Sequence, residues 1–229
     1  MRIVVLTGAG ISAESGVPTF RDADGLWEGH RVEDVATPQA YDLKPTTVHR
    51  FYDARRSALL QVEPNQAHHA LARLEESCGD QLLVVTQNID DLHERAGSSR
   101  VLHMHGELNS ALCRGCRQRS RWTSDLVDHP PCPRCGVSEL RPDVVWFGEI
   151  PYEMDRIHDA LLRADLFVSI GTAGAVYPAA GFVQAAASYG ARTLELNLQP
   201  SEGTDYFSEA RHGPAGELVP AWVESLLSR

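Results

Sequence analysis

Four short runs of apolar residues recur along the chain, and they constrain its fold more than any other feature. They are Ile3–Leu6, Leu82–Val85, Leu166–Ile170 and Thr193–Leu196. As a set they lack the regular alternation of a strand with one face in water. Strands buried on both faces have this pattern, which is typical of a parallel sheet covered by helices.

Amphipathic segments separate these runs. One extends from Pro64 to Leu74, another covers Ala179–Tyr189 and ends at Gly190, and a last helix is predicted from near Gly216 to Leu227. A glycine just after a helix commonly terminates it. Alternating strands and helices predict an α/β fold, a Rossmann-like parallel sheet with helices on both faces.

Four cysteines form two Cys-x-x-Cys pairs, Cys113/Cys116 and Cys132/Cys135, separated by fifteen residues. This spacing is a strong signature of a four-thiolate zinc site. Four sulfur ligands complete a tetrahedron and leave no position for water, so we predict one structural zinc ion without a part in catalysis. Unligated core cysteines and a nucleic-acid-binding zinc ribbon are the alternatives.

Two segments interrupt the alternation of strands and helices. Residues 28–61 are polar and helical, and residues 107–141 contain the cysteine pairs. We predict that they form a small helical and zinc-binding domain, while residues 1–27, 62–106 and 142–229 form the Rossmann-like domain. A cleft between the two parts is the expected site, because open α/β sheets bind ligands at their carboxyl edge.

The charge of the chain restricts its partners. The formal net charge is −10 and the pI is near 5.4, which argues against direct nucleic-acid binding and is compatible with lysine-rich protein partners. No signal-peptide pattern precedes the first apolar run, and no stretch reaches the roughly 20 apolar residues of a membrane span. We therefore predict a cytoplasmic protein with no membrane partner, and we expect a monomer.

A glycine-containing loop, Gly8–Gly16, follows the first run. Glycines allow the backbone to approach a pyrophosphate, and a following helix would direct its N–H groups toward it. The dehydrogenase fingerprint is incomplete, because Ala13 stands where its third glycine is needed. The loop predicts a nucleotide site of a different kind, with a simple strand-to-helix turn as the alternative.

Further motifs follow in order: Val17–Arg21 directly after the loop, Thr86–Asp90, His105-Gly106 and Arg141–Glu149. Together with the loop they resemble the sirtuins, the NAD-dependent protein deacylases, over nearly the whole chain. The resemblance implies an inverted Rossmann domain with a small zinc and helical domain. It also implies that NAD is a consumed co-substrate and that no hydride is transferred.

The resemblance implies a set of NAD-binding residues. Ile89 and Asp90 would bind the nicotinamide carboxamide, and Phe20 would shield the reacting sugar carbon. Sirtuins more often have serine at the position of Ala173, so one hydroxyl is absent. A capping turn is the alternative for residues 87–90, since Asn and Asp often start helices. The whole set is Gly8, Ala9, Gly10, Ser12, Ala13, Glu14, Phe20, Arg21, Trp27, Gln87, Asn88, Ile89, Asp90, Gly171, Thr172, Ala173, Asn197, Leu198, Gln199 and Ala215.

The resemblance makes His105 the catalytic general base. A histidine in a strand-like run is more often structural, although its pKa near 6.5 suits a base at neutral pH. In the implied reaction the acyl-lysine oxygen attacks C1′ of the ribose as nicotinamide leaves, and His105 takes a proton from a ribose hydroxyl. The products are nicotinamide, O-acyl-ADP-ribose and free lysine.

Two more segments concern the acylated lysine. Residues 144–148 match the segment that binds the substrate backbone as an added strand. Tyr52 and Arg55 share one helix face, and a guanidinium with a phenol can bind a carboxylate. This pair matches the desuccinylase and demalonylase branch, and a solvated helix face is the alternative. The implied substrate-binding residues are Tyr52, Arg55, Val144, Trp146, Phe147 and Gly148.

The function predicted on this basis is removal of succinyl, malonyl and acetyl groups from protein lysines. A mono-ADP-ribosyltransferase would use the same pocket, and a nonenzymatic NAD-sensing zinc module would need neither a base nor an acyl-binding arginine. The presence of Phe20, Arg55 and His105 favours the deacylase.

Overall fold

The fold is that of a computed structural model of the 229-residue chain, which describes residues 1–19 and 29–228. Three of the predicted NAD-binding residues, Phe20, Arg21 and Trp27, lie outside the described residues.

A six-stranded sheet forms the centre of the molecule, in the strand order β3-β2-β1-β7-β8-β9. Every neighbouring pair is parallel, so all six carboxyl ends meet at one edge. Each of the four apolar runs lies in this sheet, and the predicted α/β fold class is confirmed. The strands are β1 (Ile3–Thr7), β2 (Leu82–Thr86), β3 (Val101–His103), β7 (Leu166–Ile170), β8 (Arg192–Asn197) and β9 (Glu209–His212).

Helices cover both faces of the sheet. Successive side chains of β1 point to opposite faces, so Ile3 and Val5 pack with α4 (Gln66–Cys78) and α8 (Ala215–Leu227). Val4 and Leu6 pack on the other face, with α6 (Met154–Leu162) and α7 (Phe182–Ser188). The segment predicted as one helix from Ala179 starts with a 3-10 turn, Ala179–Gly181, before α7.

The remaining elements form a smaller part beside the sheet. The helices are α1 (Val32–Val35), α2 (Pro38–Leu43) and α3 (Pro45–Leu59), and the short α5 (Leu92–Arg95) follows β2. An antiparallel sheet in the order β5-β4-β6 completes it, with strands β4 (Gly106–Cys113), β5 (Arg119–Arg121) and β6 (Leu140–Val144). This sheet extends slightly beyond both ends of residues 107–141, and the predicted domain boundaries stay a prediction.

A buried ion pair joins α3 to the cysteine-containing segment. The Asp53 carboxylate accepts hydrogen bonds from the backbone N–H groups of Leu126 and Val127 at 2.9–3.0 Å. Arg56 contacts Asp53 at 2.7 Å and donates to the backbone oxygen of Leu108 at 3.0 Å. Through these hydrogen bonds the pair connects α3 to Leu108 and to the segment at Leu126 and Val127.

The described residues contain no helix with the length and apolar character of a membrane span.

Candidate active site

The loops at the carboxyl edge of the parallel sheet carry the described residues that were predicted to bind NAD. Residues 8–14 follow β1, residues 87–90 follow β2, residues 171–173 follow β7, residues 197–199 end or follow β8, and Ala215 follows β9. Part of this edge is a small cleft, lined by Gln87, Thr172 and Ala173 among others. Strand topology therefore brings together residues that are far apart in sequence.

The loop after β1 differs from the expectation in one respect. Two 3-10 turns, Ala9–Ile11 and Ala13–Ser15, occupy the place of the expected helix. Gly10 donates to the backbone oxygen of Gly171 at 2.9 Å, and a Cβ on Gly10 would lie 2.7 Å from the Cα of Gly171. The prediction of a helix here was wrong because the loop is held against β7, and this contact itself requires glycine.

A buried polar cluster joins the loops after β1 and β2. The Ser12 hydroxyl donates to Asp90 Oδ2 at 3.0 Å, and Asn88 Nδ2 donates to Gly8 O at 3.1 Å and contacts Ser12 Oγ at 3.2 Å. Burial raises the pKa of Asp90, and hydrogen bonds from Leu92 N–H and Ser12 partly oppose this rise. The three side chains fix each other, and the Asp90 carboxylate also accepts a hydrogen bond from Leu92 N–H at 3.2 Å, whereas the N-cap residue of the following helix is Asp91.

Two histidines lie at the end of β3 and are oriented by neighbouring carbonyls. His103 Nδ1 is 3.1 Å from Asn88 O, and His105 Nδ1 is 3.2 Å from Gln87 O. Burial disfavours the charged form of His103, but the hydrogen bond and charge of Glu94 outweigh it and raise the pKa. Burial lowers the pKa of His105, against the opposing effect of its bond to Gln87. His105 is therefore neutral at pH 7, whereas His103 is paired with an acid.

A second polar cluster lies at the ends of β7 and β8. Asn197 Nδ2 donates to Thr172 O at 2.7 Å, and the hydroxyls of Thr172 and Ser169 are 2.9 Å apart. Leu198 and Gln199 are exposed beyond the end of β8, and Ala173 lies in the cleft wall.

Glu14 and Ala215 meet at the start of α8. The Glu14 carboxylate accepts a hydrogen bond from Gly216 N–H at 2.9 Å, which holds the exposed end of the loop after β1 next to Ala215. The exposed Ala13 precedes this contact. The structure thus brings the predicted residue Glu14, which follows β1, close to the predicted residue Ala215, which follows β9.

The segment predicted to bind the substrate backbone is held by a buried arginine. Arg141 makes two bonds to the Glu149 carboxylate at 2.7 and 2.8 Å and stacks on the Trp146 ring at 3.6 Å. Val145 N–H donates to the backbone oxygen of His105 at 2.8 Å. Val144 and Trp146 are buried in this segment, whereas Phe147 and Gly148 are exposed.

Tyr52 and Arg55 lie one turn apart on α3. Trp146 Nε1 donates to the Tyr52 hydroxyl at 3.0 Å, so the helix contacts the candidate substrate segment directly. Burial raises the pKa of Tyr52, and the charge of nearby Arg55 opposes this rise. The Arg55 guanidinium lies 3.2 Å from the Phe51 ring centre and donates to the backbone oxygen of Phe51 at 2.8 Å.

The four cysteines form a compact cluster that fits zinc. Their sulfur atoms lie within 4.8 Å of one another, with Sγ–Sγ distances of 3.7 Å for Cys113/Cys135 and 3.8 Å for Cys116/Cys132. A tetrahedron of zinc–sulfur bonds of about 2.3 Å has edges of about 3.8 Å. The cluster fits a structural zinc ion with no open coordination position.

Two residues outside the predicted set also contribute to this edge. His68 Nε2 lies 3.5 Å from Ser12 Oγ, and Glu195, which is 1% exposed in β8, accepts a hydrogen bond from Ser201 N–H in the cleft wall. An acidic residue between two buried leucines, Leu194 and Leu196, was the available signal for Glu195. The run Thr193–Leu196, which contains Glu195, was interpreted only as a buried strand.

Loops that converge on one edge of a parallel sheet, together with a four-cysteine cluster, define an α/β protein with a candidate nucleotide site and a cluster that fits structural zinc. The model of the Sir2 family matches residues 8–178, and the chain belongs to this family.

Two relatives show how far this similarity extends. An NAD-dependent protein deacylase of Escherichia coli K12 is 56% identical over 99% of this chain and 82% of its own length. Its Pasteurella multocida counterpart is 54% identical over 99% and 98%. These matches confirm the predicted enzyme class, that of an NAD-dependent protein deacylase.

Solved structures agree with this assignment. A Sir2 homologue in complex with NAD has a TM-score of 0.90 and 39% identity, covering 99% of this chain and 90% of the other. A Sir2 complex with a deacetylated p53 peptide and 3′-O-acetyl-ADP-ribose has a TM-score of 0.85 and 30% identity, over 98% and 93%.

Proposed function

We propose that this protein removes succinyl and malonyl groups, and also acetyl groups, from protein lysines. Nicotinamide, O-acyl-ADP-ribose and free lysine are the products. The observation that carries the acyl specificity is the contact between Trp146 and Tyr52, with Arg55 one turn further along α3. It joins a carboxylate-binding pair to the segment assigned to the substrate backbone.

The carboxyl edge of the parallel sheet is the proposed NAD site. Two polar clusters support it, one around Ser12 and Asn88 and the other around Thr172 and Asn197, on the two sides of the loop after β1. Bound NAD supplies a ribose carbon that becomes electron-poor as its bond to nicotinamide weakens. The Ser12 cluster orients the nicotinamide half, and the Asn197 cluster orients the adenosine half.

His105 is the proposed general base. A proton on Nδ1 lets the ring donate to Gln87 O, which leaves the lone pair of Nε2 available to accept a proton. The lowered pKa keeps the ring neutral at pH 7. In this role His105 removes a proton from a ribose hydroxyl and so makes the oxygen nucleophilic.

Tyr52 and Arg55 are the proposed ligands of an acidic acyl group. Burial keeps the Tyr52 phenol protonated, so it acts as a hydrogen-bond donor toward a carboxylate. The Arg55 guanidinium supplies charge and two parallel donors. Succinyl and malonyl groups end in a carboxylate and engage both residues, whereas acetyl engages neither.

The substrate backbone binds along residues 144–148 as an added strand. Main-chain hydrogen bonds recognise an extended peptide largely without regard to its sequence. We therefore propose that the acyl group, more than the flanking sequence, selects the substrate.

Mass spectrometry of NAD-dependent turnover tests this proposal. One peptide is prepared with acetyl-, malonyl- or succinyl-lysine at the same position and incubated with zinc-loaded protein and NAD. We expect deacylation of all three, with one nicotinamide and one O-acyl-ADP-ribose per lysine released. Turnover of acetyl-lysine alone would refute the acidic acyl specificity. Transfer of labelled ADP-ribose to protein, without O-acyl-ADP-ribose, would instead favour the ADP-ribosyltransferase.

A further inference from the structure

Glu195 is a buried acid that the mechanism above does not use. It lies in the middle of β8, pairs with Ser169 on one side and Ala210 on the other, and is 1% exposed. Within residues 1–19 and 29–228 its one ion-pair partner is His212, with Nε2 3.4 Å from Glu195 Oε2. A buried carboxylate is costly unless hydrogen bonds satisfy it.

Besides His212, the groups that hydrogen-bond to Glu195 belong to one turn, Ser201–Thr204. Glu195 Oε1 accepts from the backbone N–H of Ser201 at 3.3 Å, and Glu195 Oε2 accepts a short hydrogen bond from the Thr204 hydroxyl. The turn is closed by its own bonds, since Thr204 N–H donates to Ser201 O at 3.2 Å. The carboxylate therefore holds both ends of the turn.

The Ser201–Thr204 turn forms a wall of the cleft at the carboxyl edge. Ser201 and Gly203 line the same cleft as Gln87, and Glu202 N–H donates to Ala173 O at 3.1 Å. A Cβ on Gly174 would lie 3.0 Å from Gly203 N, so the turn packs closely on the loop after β7.

Glu195 also lies two residues before Asn197 in β8. Residues two apart in a strand share a face, and Asn197 belongs to the polar cluster assigned to the adenosine half of NAD. One strand thus carries a proposed adenosine contact and the acid that holds the Ser201–Thr204 turn.

We infer that Glu195 is a positioning residue for NAD binding: through the Ser201–Thr204 turn it holds the wall of the adenosine subsite. This inference rests on the proposed NAD site. Glu195 touches neither substrate nor the reacting atoms, so its loss affects NAD affinity and leaves the acyl-lysine side of the reaction unchanged.

The test compares Glu195→Gln with a matched control. Gln keeps the size of Glu195 but loses its charge and one acceptor oxygen. We expect a rise of about tenfold in the KM for NAD, the effect of weakening a hydrogen bond to a charged group. We expect the KM for the acylated peptide and kcat to stay within about twofold.

The control is Glu75→Gln, at the opposite edge of the sheet. Glu75 is also buried, and its carboxylate accepts from the backbone N–H groups of Ser99 and Arg100 before β3. The Glu75→Gln variant should have a lower unfolding temperature and an unchanged KM for NAD. Equal changes in both variants would reduce Glu195 to a general folding role and overturn the inference.

A second variant covers the case in which Glu195→Gln fails to fold. Thr204→Val removes the hydroxyl donor to Glu195 and keeps the branched shape. It should raise the KM for NAD in the same way, and an unchanged KM would overturn the inference. Absence of NAD-dependent turnover in the unmodified protein would instead contradict the proposed function, so the two failures are distinguishable.

Discussion

Replacing Arg55 by methionine removes the guanidinium from α3 and keeps most of the apolar stem. If Arg55 binds the acyl carboxylate, succinyl-lysine loses a charged, two-point hydrogen bond, and acetyl-lysine loses nothing comparable. Hydrogen bonds to charged groups contribute about 1.5–3 kcal/mol. This corresponds to a fall of roughly 10- to 100-fold in kcat/KM for the succinyl peptide.

The structure also indicates why Arg55→Met is a cleaner change than Tyr52→Phe. The Tyr52 hydroxyl accepts the indole N–H of Trp146 at 3.0 Å. Its removal leaves that buried donor without a partner, at a cost of about 1–3 kcal/mol, and disturbs the substrate segment for every acyl group. Tyr52→Phe should therefore slow acetyl turnover as well, and the double variant should combine both effects.

The assay measures kcat/KM for acetyl and succinyl forms of one peptide by mass spectrometry, for the unmodified protein, Arg55→Met and Arg50→Met. Arg50 is exposed on the same helix and serves as the matched control for loss of one positive charge. The acetyl rate of Arg55→Met should stay within about threefold of the unmodified protein. Equal losses on the two peptides would refute the assigned role of Arg55.

Three further predictions concern the base and the cysteine cluster. His105→Tyr should fold and retain zinc, but lose roughly 100-fold or more of its turnover; near-normal nicotinamide release would remove His105 from the mechanism. Burial lowers the pKa of His105, and only the neutral ring accepts a proton. The fall of kcat/KM on the acidic side of the pH profile should therefore lie below pH 6.5. A fall that already begins above pH 7 would argue against this base. Removing zinc with a chelator should lower the unfolding temperature, since the sulfurs of Cys113, Cys116, Cys132 and Cys135 would lose the metal ion that joins them. An unchanged unfolding temperature after verified metal loss would contradict a structural role.

The parallel sheet could be predicted because its signal is local. Runs such as Leu166–Ile170 are buried on both faces, and each of the four runs indicates its strand from residues within a few positions. Once the strands are parallel, their carboxyl ends must meet, so the convergence of Gln87 and Thr172 at one edge needs no further information. The cysteine spacing is equally local and leads directly to the cluster.

Long-range contacts could not be predicted in the same way. The loop after β1 forms 3-10 turns because Gly10 bonds to Gly171, more than 160 residues away. The contact between Trp146 and Tyr52 spans 94 residues, and no sequence pattern specifies it. Such contacts depend on how the sheet and the small part pack against each other, which periodicity along one segment does not encode.

One glycine shows how the base and the substrate segment depend on each other. Gly106 follows His105 and is the first residue of β4; it has φ +83°, and a Cβ there would lie 2.0 Å from Asp143 O. The chain therefore passes from the large sheet into the small one at a position where only glycine fits. In this geometry His105 O accepts the N–H of Val145 at 2.8 Å, so the candidate base and the substrate segment share one backbone connection. The position of the candidate base is thus tied to that of the substrate segment.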